Sequence, residues 1–312
     1  MKKALKVVGR IILVFLALEL IAFIALFVFN RVMLKKERSI LETPVGQLVE
    51  VDGNNMCVYT GGEGEHTIVF LSGWGVASPI MDLRSLYELL DDDYRIVVIE
   101  RFGYGYSDNV DSERSFDTII RQDRAALSAA GIDGSYILCP HSLSGLESLL
   151  WAQTYPEEVE AIVGLDMVLP VECTDTWLDG IRSKFRRNRF LCRTGGFRLM
   201  NIDVRLDAFK TGTLTEEEKD IYRALVYAKT GNDSVKNELE DIQGACSRIE
   251  AAPMPDIPML MFIMDSKVEE MKYASEQLSA EVVPLSCGHY VHNIMQEEIS
   301  GDMKEFIEES VV

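Results

Sequence analysis

Six cysteines and four histidines are the soft metal ligands that these 312 residues offer, and they are thinly spread. Cys57, Cys139, Cys173, Cys192, Cys246 and Cys287 form no C-x-x-C pair and no ligand spacing with His66, His141, His289 or His292, so neither a metal site nor a dithiol redox motif is read from them. Their even number permits disulfides outside the cell but assigns no pairing. Basic residues are also outnumbered: 31 Lys and Arg against 50 Asp and Glu give a formal charge of −19. Phosphate binding needs a basic footprint, so nucleic acid is not an expected partner. No segment is of low complexity. With 47% hydrophobic residues the chain can bury one large core, or one core and a small insertion.

The charge is uneven along the chain. Residues 1–38 carry eight Lys or Arg against Glu19 and Glu37, a net of +6, which leaves −25 for the rest. Within that basic stretch, Ile11 to Phe29 is an apolar run of 19 residues broken only by Glu19. As a helix rising ~1.5 Å per residue it would span about 28 Å, close to the ~30 Å of a bilayer core. A cleaved signal peptide usually carries a shorter apolar stretch, about 7–15 residues, ending at a small-residue site. Phe27, Val28, Phe29 and Asn30 offer no such site, and no cysteine precedes Cys57 to accept a lipid. The expectation is an uncleaved single-pass anchor with its flanks over 1–38 and one domain over 39–312. Lys2, Lys3, Lys6 and Arg10 precede the run, and Arg31, Lys35, Lys36 and Arg38 follow it. The free amino group tips that count toward a cytoplasmic amino end and an extracytoplasmic domain. Glu19 is read as tolerated in a lone anchor, the alternative being a polar contact inside the membrane.

Beyond the anchor, Gln47 to Val51 and Asn55 to Thr60 flank Asp52-Gly53, a hairpin signal. Buried-strand patterns follow at Thr67 to Ser72, Arg95 to Glu100, Tyr136 to Cys139, Ala161 to Asp166, Met259 to Met264 and Glu281 to Leu285. Helical patterns lie between the first of them, at Pro79 to Leu90, Phe116 to Ala130 and Ser144 to Tyr155. Continuous apolar strands alternating with amphipathic helices predict an α/β fold with a mostly parallel sheet covered on both faces. The alternation fails over about 168–257, far longer than a crossover needs, and this stretch is read as a helical lid over the strand ends. Within it Thr213 to Glu218 resembles a capped helix start. Arg182, Lys184, Arg186, Arg187, Arg189, Arg193 and Arg198 form a basic cluster there, either a solvated helix face or a surface drawn to anionic head groups beside the anchor.

Tyr136 to Gly145, YILCPHSLSG, is an apolar run that ends at a proline and delivers Ser142 between small residues just before a helical pattern. A serine hydroxyl is a poor nucleophile, and a tight turn that lifts it clear of a sheet lets a histidine reach its proton. Pro140 and Ser144 stand two before and two after the serine, where glycine is commoner at the first position. Three further segments come in order: LSGWG (Leu71 to Gly75), VIERFGYGYSD (Val98 to Asp108) and GHYVH (Gly288 to His292). Together, each at a strand end, they resemble the α/β-hydrolase fold family from about Val45 to the carboxyl end.

That resemblance implies a serine hydrolase acting through an acyl-serine intermediate on an ester, thioester or amide. Ser142 would be the nucleophile and His289 its base, with His292 structural or substrate-facing, His141 packed at the elbow, and no role for His66. The acid that orients His289 is Asp166, in GLDMVLP, or Asp265, directly after the strand Met259 to Met264; Asp166 is favoured. The backbone NH groups of Leu143 and Trp74 would receive the charge that develops on the substrate oxygen, with Gly73 and Gly75 allowing close approach and the Trp74 indole shaping an acyl pocket. Tyr104 and Tyr106 are read as braces of the site floor, and Glu100 and Arg101 as a local polar contact. The partner is a small acyl substrate, and neither metal nor organic cofactor is required. The competing class is a noncatalytic binding module on the same fold. Dehalogenases and epoxide hydrolases normally carry aspartate at the elbow, so Ser142 counts against those chemistries.

Overall fold

The computed structural model describes residues 2–311. Eight strands form one sheet: β1 Gln47–Val51, β2 Asn54–Gly61, β3 Thr67–Leu71, β4 Arg95–Glu100, β5 Tyr136–Pro140, β6 Val159–Leu165, β7 Met259–Met264 and β8 Glu281–Leu285. Their order across the sheet is β1-β2-β4-β3-β5-β6-β7-β8. β1 and β2 pair antiparallel, β2 pairs antiparallel with β4, and every pairing from β4 to β8 is parallel. The hairpin turns at Asp52 and Gly53, both at positive φ (51° and 74°), the primed turn whose twist suits two right-handed strands. Pro284, which has no N–H for a ladder, sits on the edge strand β8.

Successive strand residues point to opposite faces, and both faces are covered. Val69, Leu71, Val97 and Leu138 pack with helices α2 (Phe116–Ala129) and α3 (Ser144–Thr154). Ile68, Phe70, Val98 and Cys139 face the other way, against the 79–90 segment and the last helix, Gln296–Ser310. The segment from Pro79 to Leu90, expected as one helix, is two single turns, Pro79–Asp82 and Arg84–Tyr87, joined at Leu83. Nearly all its side chains are buried, so packing from several sides overrides the one-stripe pattern of a longer helix.

Between β6 and β7 the chain leaves the sheet for a helical insertion. Its main helices are α4 (Asp175–Thr194), α5 (Glu216–Lys229) and α6 (Ile242–Ala251). Thr215 and Glu218 close a reciprocal capping box on α5 at the start expected from sequence. The amino-terminal helix α1, Lys2–Glu37, is long and apolar enough to cross a membrane, and its apolar window is unburied.

Candidate active site

β5 ends at Pro140 and α3 begins at Ser144, so only three residues make the turn that carries Ser142. Ser142 takes φ 56°, a left-handed conformation that costs a residue with a Cβ on the order of 1–3 kcal/mol. Packing and hydrogen bonds hold it there. His141 N–H donates to Leu71 O at 2.8 Å, Val168 N–H to Ser142 O at 2.7 Å, and the Ser144 hydroxyl reaches Leu71 O at 2.7 Å and His141 O at 2.8 Å. Two glycines make the approach possible. A Cβ on Gly73 would lie 2.8 Å from Ser142 Cβ, and one on Gly145 would lie 2.5 Å from Val168 O.

The loop after β8 brings His289 to this turn. Its Nε2 lies 2.9 Å from Ser142 Oγ, and its Nδ1 lies 2.5 Å from Asp166 Oδ2. Asp166 follows β6 directly, is fully buried and also has positive φ (41°), so its carboxylate turns toward the histidine. Its other oxygen accepts from Met264 N–H at 3.3 Å and meets Lys267 Nζ at 3.2 Å; the same ammonium lies 3.0 Å from Glu172 Oε2. Burial pushes the Asp166 carboxyl up, but the His289 hydrogen bond and the Lys267 charge outweigh it and hold it below its ordinary value. Burial pulls Lys267 down, yet Glu172 and Asp166 together raise it.

Trp74 and Leu143 line the same hollow as Ser142, and among the described residues neither peptide NH has a hydrogen-bond acceptor. A cavity of about 290 Å³ opens there, lined by Trp74, Leu143 and Val168 from the sheet side and by Trp177, Ile181 and Lys184 from α4. The Trp74 ring leans on Phe185 of α4 at 5.9 Å, and its indole N–H donates to Val235 O at 2.8 Å. A larger hollow, about 560 Å³, lies away from Ser142 at Val171, Met254 and Tyr273, and its polar lining carries glutamates rather than a nucleophile with a base.

The family model described as the alpha/beta hydrolase fold matches residues 66–292. The chain belongs to the α/β-hydrolase fold family. It is 34% identical over 277 residues to the uncharacterized protein YbdG of Bacillus subtilis (strain 168), covering 88% of this chain and 84% of that one. Two solved hydrolases share the α/β-hydrolase architecture. An epoxide hydrolase from Bacillus megaterium superposes with TM-score 0.64 at 18% identity, covering 84% of this chain and 100% of its own. A thermophilic esterase from Thermogutta terrifontis does so with TM-score 0.64 at 15% identity, covering 85% and 99%. At such identities the likeness carries the fold and leaves the reaction to the residues at the site.

Asp265, the alternative acid, is exposed and held only by its backbone N–H to Leu285 O, whereas Asp166 meets the histidine. His292 is fully buried, its Nε2 lying 2.9 Å from Asp82 Oδ2, while Tyr222 on α5 donates to Asp82 Oδ1 at 3.0 Å; it is a structural residue that does not face the cavity. His141 is buried too, and burial together with the neighbouring His292 and His289 rings lowers its basicity well below the ordinary value. Neutral, it donates from Nε2 to His289 O at 3.1 Å, tying the elbow to the loop that carries His289. Asp82, His141 and His292 lie close enough to share an ion; both Asp82 oxygens and one ring nitrogen of each histidine are hydrogen-bonded, while Nδ1 of each histidine has no partner among the described residues. His66 pairs with Glu160 away from the site.

Tyr104 braces the floor, its hydroxyl donating to Glu238 Oε2 at 2.6 Å and accepting from Gly75 N–H at 3.2 Å. The Glu100–Arg101 contact does not form. Neighbours at a strand end point to opposite faces: Glu100 accepts from Tyr106 N–H at 2.7 Å, while Arg101 crosses to Glu147 at 2.5 Å and to Ser72 O at 3.0 Å. Sequence reading missed Lys267 and Ser144 as supports of the site. The signal for Ser144 was the small residue after the elbow; Lys267 gave none beyond standing where an acid was sought.

Proposed function

We propose that this chain is a serine hydrolase that cleaves an ester, thioester or amide through an acyl-serine intermediate. The observation that carries the reading is the 2.9 Å approach of His289 Nε2 to Ser142 Oγ, with Asp166 on the other ring nitrogen. In the first step Ser142 Oγ attacks the acyl carbon as its proton passes to His289 Nε2. The charge on the former carbonyl oxygen is met by the NH groups of Trp74 and Leu143, and Asp166 stabilises the imidazolium. His289 then protonates the leaving alcohol, thiol or amine as its bond to carbon breaks. Water, deprotonated by the same nitrogen, releases the acid and restores the serine. An alkoxide from Ser142 attacks acyl carbon, so the reading favours acyl transfer over the epoxide chemistry named for one structural neighbour.

The amino-terminal helix serves in this reading as an uncleaved membrane anchor, with the domain from about residue 39 outside the cytoplasm. Residues of the 168–257 insertion act as a lid, since Trp177, Ile181 and Lys184 roof the cavity over Ser142. A fluorophosphonate probe applied to the full chain in detergent tests the chemistry. Labelling that vanishes in Ser142→Ala and His289→Ala is expected; equal labelling of Ser142→Ala, or none of the wild type, refutes it in favour of a binding module. Nitrophenyl esters of rising chain length then rank the acyl group.

A further inference from the structure

The amino-terminal helix and the insertion are built into each other. Asn30, 2% exposed, donates Nδ2–H to Cys192 O at 3.0 Å. Arg198 donates Nε–H to Asn30 Oδ1 at 2.6 Å and grips both Glu37 oxygens at 2.7 and 2.6 Å, its guanidinium 4.0 Å above the Tyr227 ring. Gly195 caps α4 in the left-handed conformation, so near α1 that an added Cβ would lie 2.9 Å from Asn30 Cβ and 3.1 Å from Leu26 O. Leu26 belongs to the apolar run. The end of α4 is thus level with the last turn of that run, within about 5 Å of where it gives way to Asn30 and Arg31.

Beside this junction two large apolar side chains face outward, Phe190 (59% exposed) and Leu199 (75%). On α4 the 3.6-residue period sets the exposed Arg186, Arg187 and Arg193 on the same outer side as Phe190. The inner side of the same helix buries Leu178 and Phe185 and lends Trp177, Ile181 and Lys184 to the cavity over Ser142. Apolar side chains ringed by arginines are what a helix lying in a head-group layer needs, and the other residues beyond 38 sum to a strong negative charge that anionic lipid would repel.

Resting on the reading of α1 as a membrane span, we infer that the outer face of α4 and the turn after it lie on an anionic bilayer surface, with Phe190 and Leu199 at the acyl boundary and Arg186, Arg187 and Arg193 on lipid phosphates. The roof of the active-site cavity is then seated on the membrane.

The test uses the full chain in nanodiscs of phosphatidylcholine, with or without phosphatidylglycerol, carrying photo-cross-linking benzoylphenylalanine in turn at positions 18, 190, 199 and 305. Position 18 reports the span, and position 305 is an exposed site on the last helix. Lipid adducts at 190 and 199 are expected at roughly fivefold or more the yield at 305. Combining Arg186→Glu, Arg187→Glu and Arg193→Glu should lower the phosphatidylglycerol share of the adducts. Yields at 190 and 199 no higher than at 305, while 18 cross-links, overturn the inference and leave the span standing. Adducts indifferent to phosphatidylglycerol and to the arginines overturn the anionic surface. No adduct at position 18 removes the span and this inference together. Because adducts are read without turnover, the outcome is independent of the hydrolase chemistry.

Discussion

Two helices that flank the same cavity are held by different forces. α3, behind the elbow, buries nine of its eleven residues, while α4, above it, buries three of its twenty. α3 is fixed by apolar packing on the sheet and by a backbone contact at Gly145 that admits no side chain. α4 is held at its ends and flank by polar ties: Thr174 at its cap, Arg189 to Asp233 at 2.5 Å, and Asn30 to Cys192 O. The floor of the site is thus rigid by exclusion of volume, and its roof rests on fewer ties, a buried hydrogen bond at Asn30 and a partly exposed ion pair at Arg189 that contributes little. In the proposed mechanism, catalytic geometry belongs to the floor and substrate range to the roof.

The sharpest way to break that division is to remove floor residues of the proposed mechanism. His289→Ala should lower kcat by roughly 10⁴-fold or more, read in single-turnover labelling or ester hydrolysis. Asp166→Asn should cost about 10⁴-fold, with Asp265→Asn within about twofold of wild type; the reverse pattern would reassign the acid.

A second prediction concerns pH. Burial pushes the Glu100 carboxyl up from 4.5 to about 7, against the pull of Tyr106 N–H. An acid with a raised folded value stabilises the fold below its unfolded value, so this contribution is present below about pH 4.5 and lost as pH rises through about 7. The span corresponds to about 3 kcal/mol. Urea unfolding at pH 5 and pH 8 should show that loss, reduced in Glu100→Gln.

Lys267→Met would leave Asp166 and Glu172 without their shared cation, and unfolding should register a cost of about 3 kcal/mol. Smallest of all, Thr174→Ala on α4 should cost about 1 kcal/mol and leave kcat nearly unchanged, shifting KM instead. A large fall in kcat there would erase the contrast between floor and roof.

Much of the floor was legible in the residues because it is written in short-range code. Buried runs such as Ile68 to Leu71, spaced between helical patterns, read as inner strands, and YILCPHSLSG gained its meaning from the three other segments in order beside it. The acid was harder. Asp166 and Asp265 end neighbouring strands, and what separates them is a backbone angle: Asp166 turns inward at φ 41°, whereas Asp265 stays exposed. Contacts between residues far apart in sequence left no trace. Arg101 faces Glu147 and Glu238, and Lys267 faces Asp166 and Glu172, because the sheet order brings distant loops together. The single 79–90 helix failed for the same reason, since partners on several sides erased the period.

The grip of Arg198 on Glu37 and Asn30 decides where the polypeptide can be cut for solution work. Starting it at residue 39 removes both partners, leaves the Arg198 guanidinium with the Tyr227 ring but no acceptor, and strips the cover from the Cys192 carbonyl. A version beginning just ahead of Leu26 sheds most of the greasy segment while keeping this clasp, and should come out of the cell better behaved than the shorter one.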